Sequence, residues 1–237
     1  NQNTGKSPDP DFQRVYQDIS LNSFKSHVKT LSSDEFGGRA PASPGDKKTR
    51  DYLVNAFKTA GLEPGNGDSY LQKVDMVGVT GKVVKPLKIA DIDFSYKENY
   101  VVNSRKNRSD QSLKDSPLVF VGYGINAPEY HWNDYANVDV KGKTVVILVN
   151  DPGYATGDKD LFEGNTMTYY GRWTYKYEEA ARQGAAGAII IHETGAASYG
   201  WNVVANSWTG AQFQLPRGPN SDPVLYIELW ITFGKTK

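Results

Sequence analysis

Cysteine is absent from this chain of 237 residues. That excludes thiolate catalysis, thiolate–zinc sites and disulfides. An excess of one charge is also missing. The 27 Lys plus Arg balance 27 Asp plus Glu, so the formal net charge is zero. Such a balance gives no reason to expect nucleic acid or an anionic membrane as a partner. Long apolar runs are lacking too: Ala185–Ile191, which includes a glycine, falls far short of a membrane span. Histidine is scarce, with three in all.

Two further motifs are missing. Gly142-Lys143-Thr144 and Gly234-Lys235-Thr236 both lack the earlier glycine that a phosphate-binding loop requires. The first reads as a turn leading into a strand. No G-x-S-x-G elbow occurs, so a serine hydrolase of the α/β type has no support. What the chain does have is 15 Tyr and 5 Trp. Its polar start, NQNTGKSPDPDF, reads as a tail left after removal of a signal segment or after trimming, and export is the expected destination.

Residues 1–18 are expected to form a flexible leader. Leu21, Phe24, Val28 and Leu31 then recur at helical spacing. The next helix is clearly punctuated. Ser43 suits the N-cap, Pro44 the first helical position, Gly61 the left-handed C′ position, and Pro64 stops continuation. The spacing of Tyr52, Leu53, Ala56, Phe57 and Ala60 predicts a helix over 44–60. Beyond residue 68 the pattern turns to β-formers: 70–79, 87–96, 99–102, 118–123, 144–149, 186–191 and 224–231. One short helix, 175–183, is ended by Gly184. Helices thus dominate the first 65 residues and strands the rest, an α+β arrangement with a boundary near 80–85.

Few residues offer catalytic chemistry. His192-Glu193 begins like H-E-x-x-H, but the fifth position is Ala196, and the pair follows a strand, where i and i+4 do not converge. His192 reads as a strand-end histidine facing a loop, His27 as a structural residue among the apolar positions of the first helix, and His131 as part of an aromatic loop. Glu178-Glu179 falls at a helix opening, where negative charge is favourable. Asp91 and Asp93 alternate out of a strand as a solvated face does. The cluster Tyr169, Tyr170, Arg172, Trp173, Tyr175 and Tyr177 has two readings. Aromatics beside an arginine are what binding surfaces concentrate; the same rings can also pack a loop onto the body of the domain.

Several stretches, in this order and spacing, resemble one family. LSSDEFGGR (31–39), followed by Pro44-Gly45 and a helix ending in Gly61-Leu62-Glu63-Pro64, is similar to the N-terminal segment of M28 peptidases. Tyr70–Val74 resembles the first sheet strand that follows. VFVGYGINAPEYHWNDYANVDVKGK (119–143) and TYYGRWTYKYEEAARQGAAGAIII (168–191) resemble the opening and the core of the inserted protease-associated domain.

The resemblance implies a division into leader 1–18, an incomplete N-terminal helical part of the peptidase domain at 19–82, a mostly β protease-associated domain with short helices at 83–233, and a cut end at 234–237. It also implies a secreted or periplasmic aminopeptidase using two zinc ions held by His, Asp and Glu. The family's first ligand motif is His-x-Asp. Here the three histidines are followed by Val-Lys, Trp-Asn and Glu-Thr, so no metal ligand and no catalytic residue carries over. The expectation is therefore a portion that shapes access or interaction for a peptidase domain, with zinc belonging to the longer parent. Its partner would be a peptide substrate or the catalytic domain, and Tyr170, Arg172 and Trp173 would be the substrate-contacting candidates. The rival expectation is a self-contained protease-associated module that binds proteins or peptides.

Overall fold

Along the chain, capped helices come first and paired strands follow. The computed structural model describes residues 10–235, and the molecule resolves into two compact units, Asn1–Val74 and Asp75–Lys237. The first nine residues of the expected leader, and Thr236 and Lys237 of the expected cut end, lie outside the described residues.

Unit 1 contains α1 (Pro10–Gln17), α2 (Leu21–Leu31) and α3 (Pro44–Thr59). The first of these occupies part of the stretch read as a flexible leader. Ser20 caps α2, its hydroxyl accepting from the Ser23 N–H at 3.2 Å. Ser43 caps α3 in the same way, accepting from the Asp46 N–H at 3.2 Å, with Pro44 opening the helix. At the other end Gly61 takes φ 75°, and the Leu62 N–H returns to the Phe57 carbonyl at 3.1 Å. That is a Schellman closure, the reason the helix stops where its sequence punctuation says. His27 Nδ1 lies 2.6 Å from the Tyr52 hydroxyl, tying α2 to α3. Yet among the described residues of this unit only Phe36 and Gly45 are buried. Leu21, Phe24 and Phe57 remain 62%, 63% and 42% exposed. An amphipathic helix is stable when its stripe is covered; within unit 1 these stripes are not.

Unit 2 runs β1 (Val77–Thr80), β2 (Leu87–Ile89), β3 (Ile92–Phe94), β4 (Tyr100–Asn103), β5 (Leu118–Phe120), β6 (Asn126–Ala127), β7 (Trp132–Asn133), β8 (Thr144–Leu148), α4 (Pro152–Thr156), α5 (Trp173–Arg182), β9 (Gly187–His192), α6 (Thr194–Ala197), α7 (Trp201–Ser207), β10 (Ala211–Gln214) and β11 (Ile227–Thr232). Its main sheet has the order β4-β11-β9-β8-β5. Strands β5, β8, β9 and β11 are parallel, and β4 is antiparallel at one edge. Helix α5 makes the β8-to-β9 crossover that a parallel pair demands. It ends at Gly184, φ 83°, with the Ala185 N–H returning to the Ala180 carbonyl at 3.0 Å. Small separate hairpins pair β1 with β10, β2 with β3, and β6 with β7.

The sheet is covered on both faces. One side packs Val145, Ile147, Ala188, Ile190 and Trp230 against Tyr177, Ala180 and Ala181 of α5 and Val204 of α7. The other packs Ile189, Leu229 and Ile231 against Phe94 of the β2–β3 hairpin and Tyr100. A third cluster, Ile125, Ala127, Phe162 and Tyr175, sits under the β6–β7 loops. The whole is α+β: helices first, then a sheet-rich region.

Four sequence expectations shift. The strand read over 70–79 is only β1, because a strand needs a ladder partner and none pairs with residues 71–76 among those described. The single strand read over 87–96 is a hairpin, turned at Ala90 with φ 50°. The helix read from 175 begins two residues earlier, at Trp173, so Glu178-Glu179 falls mid-helix. Glu179 is buried there, accepting from Arg182 at 2.8 Å and Gln183 at 2.7 Å.

Ile190 is wholly buried on β9, whereas Phe120 on the edge strand β5 is 61% exposed. Ile190→Ala should destabilise the protein by about 2–5 kcal/mol and Phe120→Ala by less than about 1 kcal/mol in urea unfolding. Equal costs would contradict this assignment of the core.

Candidate functional site

The three residues singled out from sequence lie at the junction of a 3-10 turn, Tyr169–Gly171, with α5. Gly171 is needed there. A Cβ at this position would stand 2.7 Å from Met167 Cγ and 3.0 Å from both Asn150 Oδ1 and Asp151 Oδ2. The turn therefore seats directly on the end of β8, where the Asn150 N–H also donates to the Gly171 carbonyl at 3.1 Å. Asp151 Oδ2 holds the start of the turn, accepting from the Thr168 N–H at 3.0 Å and the Thr168 hydroxyl at 2.8 Å.

This junction separates the three side chains instead of gathering them. Tyr170 turns into the third cluster, its ring edge-on to Tyr175 at 4.9 Å, Phe162 at 5.8 Å and Tyr130 at 6.2 Å. Its hydroxyl donates to Glu129, and that bond, chiefly, pushes the phenol up to about 12. Trp173 turns the other way, edge-on to Trp208 at 5.6 Å and Tyr177 at 6.2 Å. Arg172 is exposed between them. Its charge opposes the upward push that burial gives the Tyr199 phenol. Tyr170 thus packs on neighbouring rings. Trp173, 37% exposed, belongs to a pocket.

That pocket, about 150 Å³, is walled by Trp173, Thr174, Trp208 and Phe213, with Arg105 and Glu228 in its lining. Arg105 follows β4 and Glu228 opens β11; they are 123 residues apart and meet through Arg105 Nε donating to Glu228 Oε1 at 2.7 Å. Burial raises the Glu228 carboxyl and the Arg105 charge opposes that. The pairing is single-pronged: Arg105 Nη2 is closed off from solvent and has no hydrogen-bond partner among the described residues. Sequence reasoning missed both residues. The available signal was Glu228 itself, a carboxylate inside the otherwise apolar Ile227–Ile231, which demands a buried cationic partner without naming it.

A second buried charge was also missed. Lys176 on α5 is wholly buried, its Nζ donating to the Tyr123 carbonyl at 2.6 Å and lying 5.8 Å from the Tyr123 ring. Burial pulls its ammonium down to about 7, against the opposing charges of Asp151 and Asp134. Asp151 is itself wholly buried, with Oδ1 unpartnered among the described residues. Lys176 falls one helical turn before the buried Ala180, so the periodicity placed it inward.

The residues present do not fit a zinc site. No group of three or more His, Cys, Asp or Glu converges among the described residues. His192 Nε2 is 3.0 Å from the Tyr199 carbonyl within a ring of Tyr199, Trp201 and Trp230, and burial lowers its pKa. Its neighbour Glu193 caps α6, accepting from the Gly195 and Ala196 N–H groups. His27 is held by Tyr52, and His131 ends a 3-10 turn at φ 53°.

No model of a protein family matches the sequence, and no curated protein does. Among solved structures the chain is similar to an aminopeptidase from Aneurinibacillus sp. strain AM-1. Identity is 20% and the TM-score 0.35, over 87% of this chain and 37% of the other. The chain thus spans little more than a third of that protein. No described helix is long and apolar enough to cross a membrane.

Two measurements test the site. Tyr170→Ala should cost about 1–3 kcal/mol of stability, while Arg172→Ala should stay within about 0.5 kcal/mol; the reverse order would transfer the packing role to the arginine. Lys176 binds a proton in the unfolded chain up to the ordinary lysine pKa but in the folded protein only to about 7. Between those values unfolding takes up a proton, so stability should rise with pH from about 7 towards 10. Lys176→Met should flatten that rise; an unchanged slope in urea midpoints would locate the titration elsewhere.

Proposed function

We propose that this chain is the non-catalytic N-terminal and protease-associated portion of a secreted or periplasmic M28-type zinc aminopeptidase. The observation that carries the reading is the state of unit 1. Helices α2 and α3 are well capped, yet their apolar stripes stay open within the unit. A segment of a larger domain has that character, and the Gly-Arg turn and the Gly-Leu-Glu-Pro helix end, which resemble those of M28 peptidases, support a peptidase as that larger domain. Unit 2 supports the reading differently. It closes three clusters of its own, as an inserted module does. The two zinc ions and the general base belong to the peptidase domain of the longer protein, and the role of unit 2 is to shape access to the peptide or to hold a partner.

The second reading, a self-contained protein- or peptide-binding module, draws on the same closed clusters. The two separate cleanly. Under the first, the purified chain should retain no stoichiometric zinc after dialysis and release nothing from an aminoacyl reporter, while the reading frame in the genome continues past Lys237 into a His-x-Asp motif. Zinc retention or cleavage by this chain overturns the non-catalytic assignment. A frame without a peptidase domain favours the module.

A further inference from the structure

The two edges of the main sheet are treated differently. At β4 the edge residues Tyr100 and Val101 are 2% and 0% exposed. At β5 the edge residues Leu118 and Phe120 are 44% and 61% exposed. The hydrogen bonds of β5 show which of its backbone groups are already used. The Pro117 carbonyl accepts from the Thr144 N–H at 3.0 Å, and the Val121 N–H donates to the Val146 carbonyl at 3.1 Å. Residues 117, 119 and 121 therefore face β8, and the N–H and C=O groups of Leu118 and Phe120 turn to the open side. There they have no hydrogen-bond partner among the described residues. The usual protections of a sheet edge are missing. Leu118–Phe120 carries no charge and no bulge, and the N–H that Pro117 lacks would have pointed to β8. Only the brevity of the strand, three residues, limits what it pairs with.

We propose that β5 pairs antiparallel with β5 of a second copy of this chain, across a two-fold axis at Val119. The edge is complementary to itself in that register. Leu118 of each copy exchanges two main-chain hydrogen bonds with Phe120 of the other, and the two Val119 residues form the non-hydrogen-bonded pair between them. The side chains match as well. Phe120 stands in register with Val146, Ile189 and Leu229, so it and Leu118 lie on the face covered by the β2–β3 hairpin. On that face Leu118 lines a cavity of about 390 Å³ with Leu87, Ile89, Ile189 and Leu229; Lys88 and Asp115 are its charged members. The pairing sets the partner's Phe120 opposite Leu118, at the mouth of that cavity, and symmetry repeats the contact. An unrelated extended strand would satisfy the backbone, but only a second copy supplies ring and cavity in reciprocal places. The two-fold pairing also closes on itself, because each copy uses its open edge and β4 is covered. The inference does not depend on the peptidase reading.

Three residues a side make an interface well below the standard size, so association should be weak, half-complete at about 100 µM. Sedimentation velocity of the intact chain between about 5 and about 500 µM should show a monomer–dimer equilibrium. Phe120→Lys, at an exposed position outside the core, should weaken it by about tenfold. The chain has no cysteine, so crosslinking reads the register cleanly. Oxidised Val119→Cys should give a disulfide-linked dimer, because the Cα atoms of that pair stand about 4.5 Å apart. Leu118→Cys and Phe120→Cys should each fail alone, yet link to one another when mixed, across about 5.5 Å. A chain that is monomeric at about 500 µM overturns the proposal. A dimer that Phe120→Lys leaves intact does the same. Leu118→Cys linking to itself as readily as to Phe120→Cys overturns the two-fold register. If a monomeric chain instead takes the extended peptide acetyl-TVTVT-amide along β5, seen as shifts of the Leu118 and Phe120 amide resonances, the edge serves another partner and the second copy is excluded.

Discussion

Strand β9 hydrogen-bonds to β8 on one side and β11 on the other, residue for residue, all in parallel. Everything else in unit 2 answers to that. A parallel strand in mid-sheet has no solvent face, which is why Gly187–His192 reads GAIIIH with no alternation. Both faces must be covered, and each cover comes from a different stretch of sequence. Helix α5 and α7 lie over Ala188 and Ile190; the β2–β3 hairpin and Tyr100 lie over Ile189 and Ile191. The Tyr177 hydroxyl, fully buried, closes the first contact by donating to the Leu229 carbonyl at 2.7 Å. Because that bond fixes α5 against β11, it also fixes the place of Trp173, one turn earlier, in the pocket it lines with Arg105 and Glu228.

Local signals were the legible ones. The caps of α3, the glycine that ends α5, and the strands around Val119, Val146 and Ile190 all follow from residues within a few positions of each other. Ala90 shows the limit of that: its left-handed φ breaks one expected strand into a hairpin, and nothing about alanine announces a turn. The ion pair of Arg105 with Glu228 shows another limit. A buried carboxylate states that a partner exists, but its position 123 residues away is set by the antiparallel pairing of β4 on β11. Tyr170 and Trp173, three residues apart, looked like one surface because a loop was assumed. The 3-10 turn and the earlier helix start send them to different clusters.

Buried Lys176 and half-buried Arg105 illustrate how differently a protein treats a charge held away from water. Lys176 has a backbone carbonyl and two carboxylates acting at a distance, and burial still outweighs them and pulls its ammonium down. Arg105 has a direct carboxylate partner, and Glu228 is the member that burial disturbs. Guanidinium cannot shed its proton, so it cannot relieve an unsatisfied donor the way an ammonium can. A buried donor without a partner, costing about 1–3 kcal/mol, is a poor way to hold β4 to β11. A hydrophobic pair would serve that structural task as well or better.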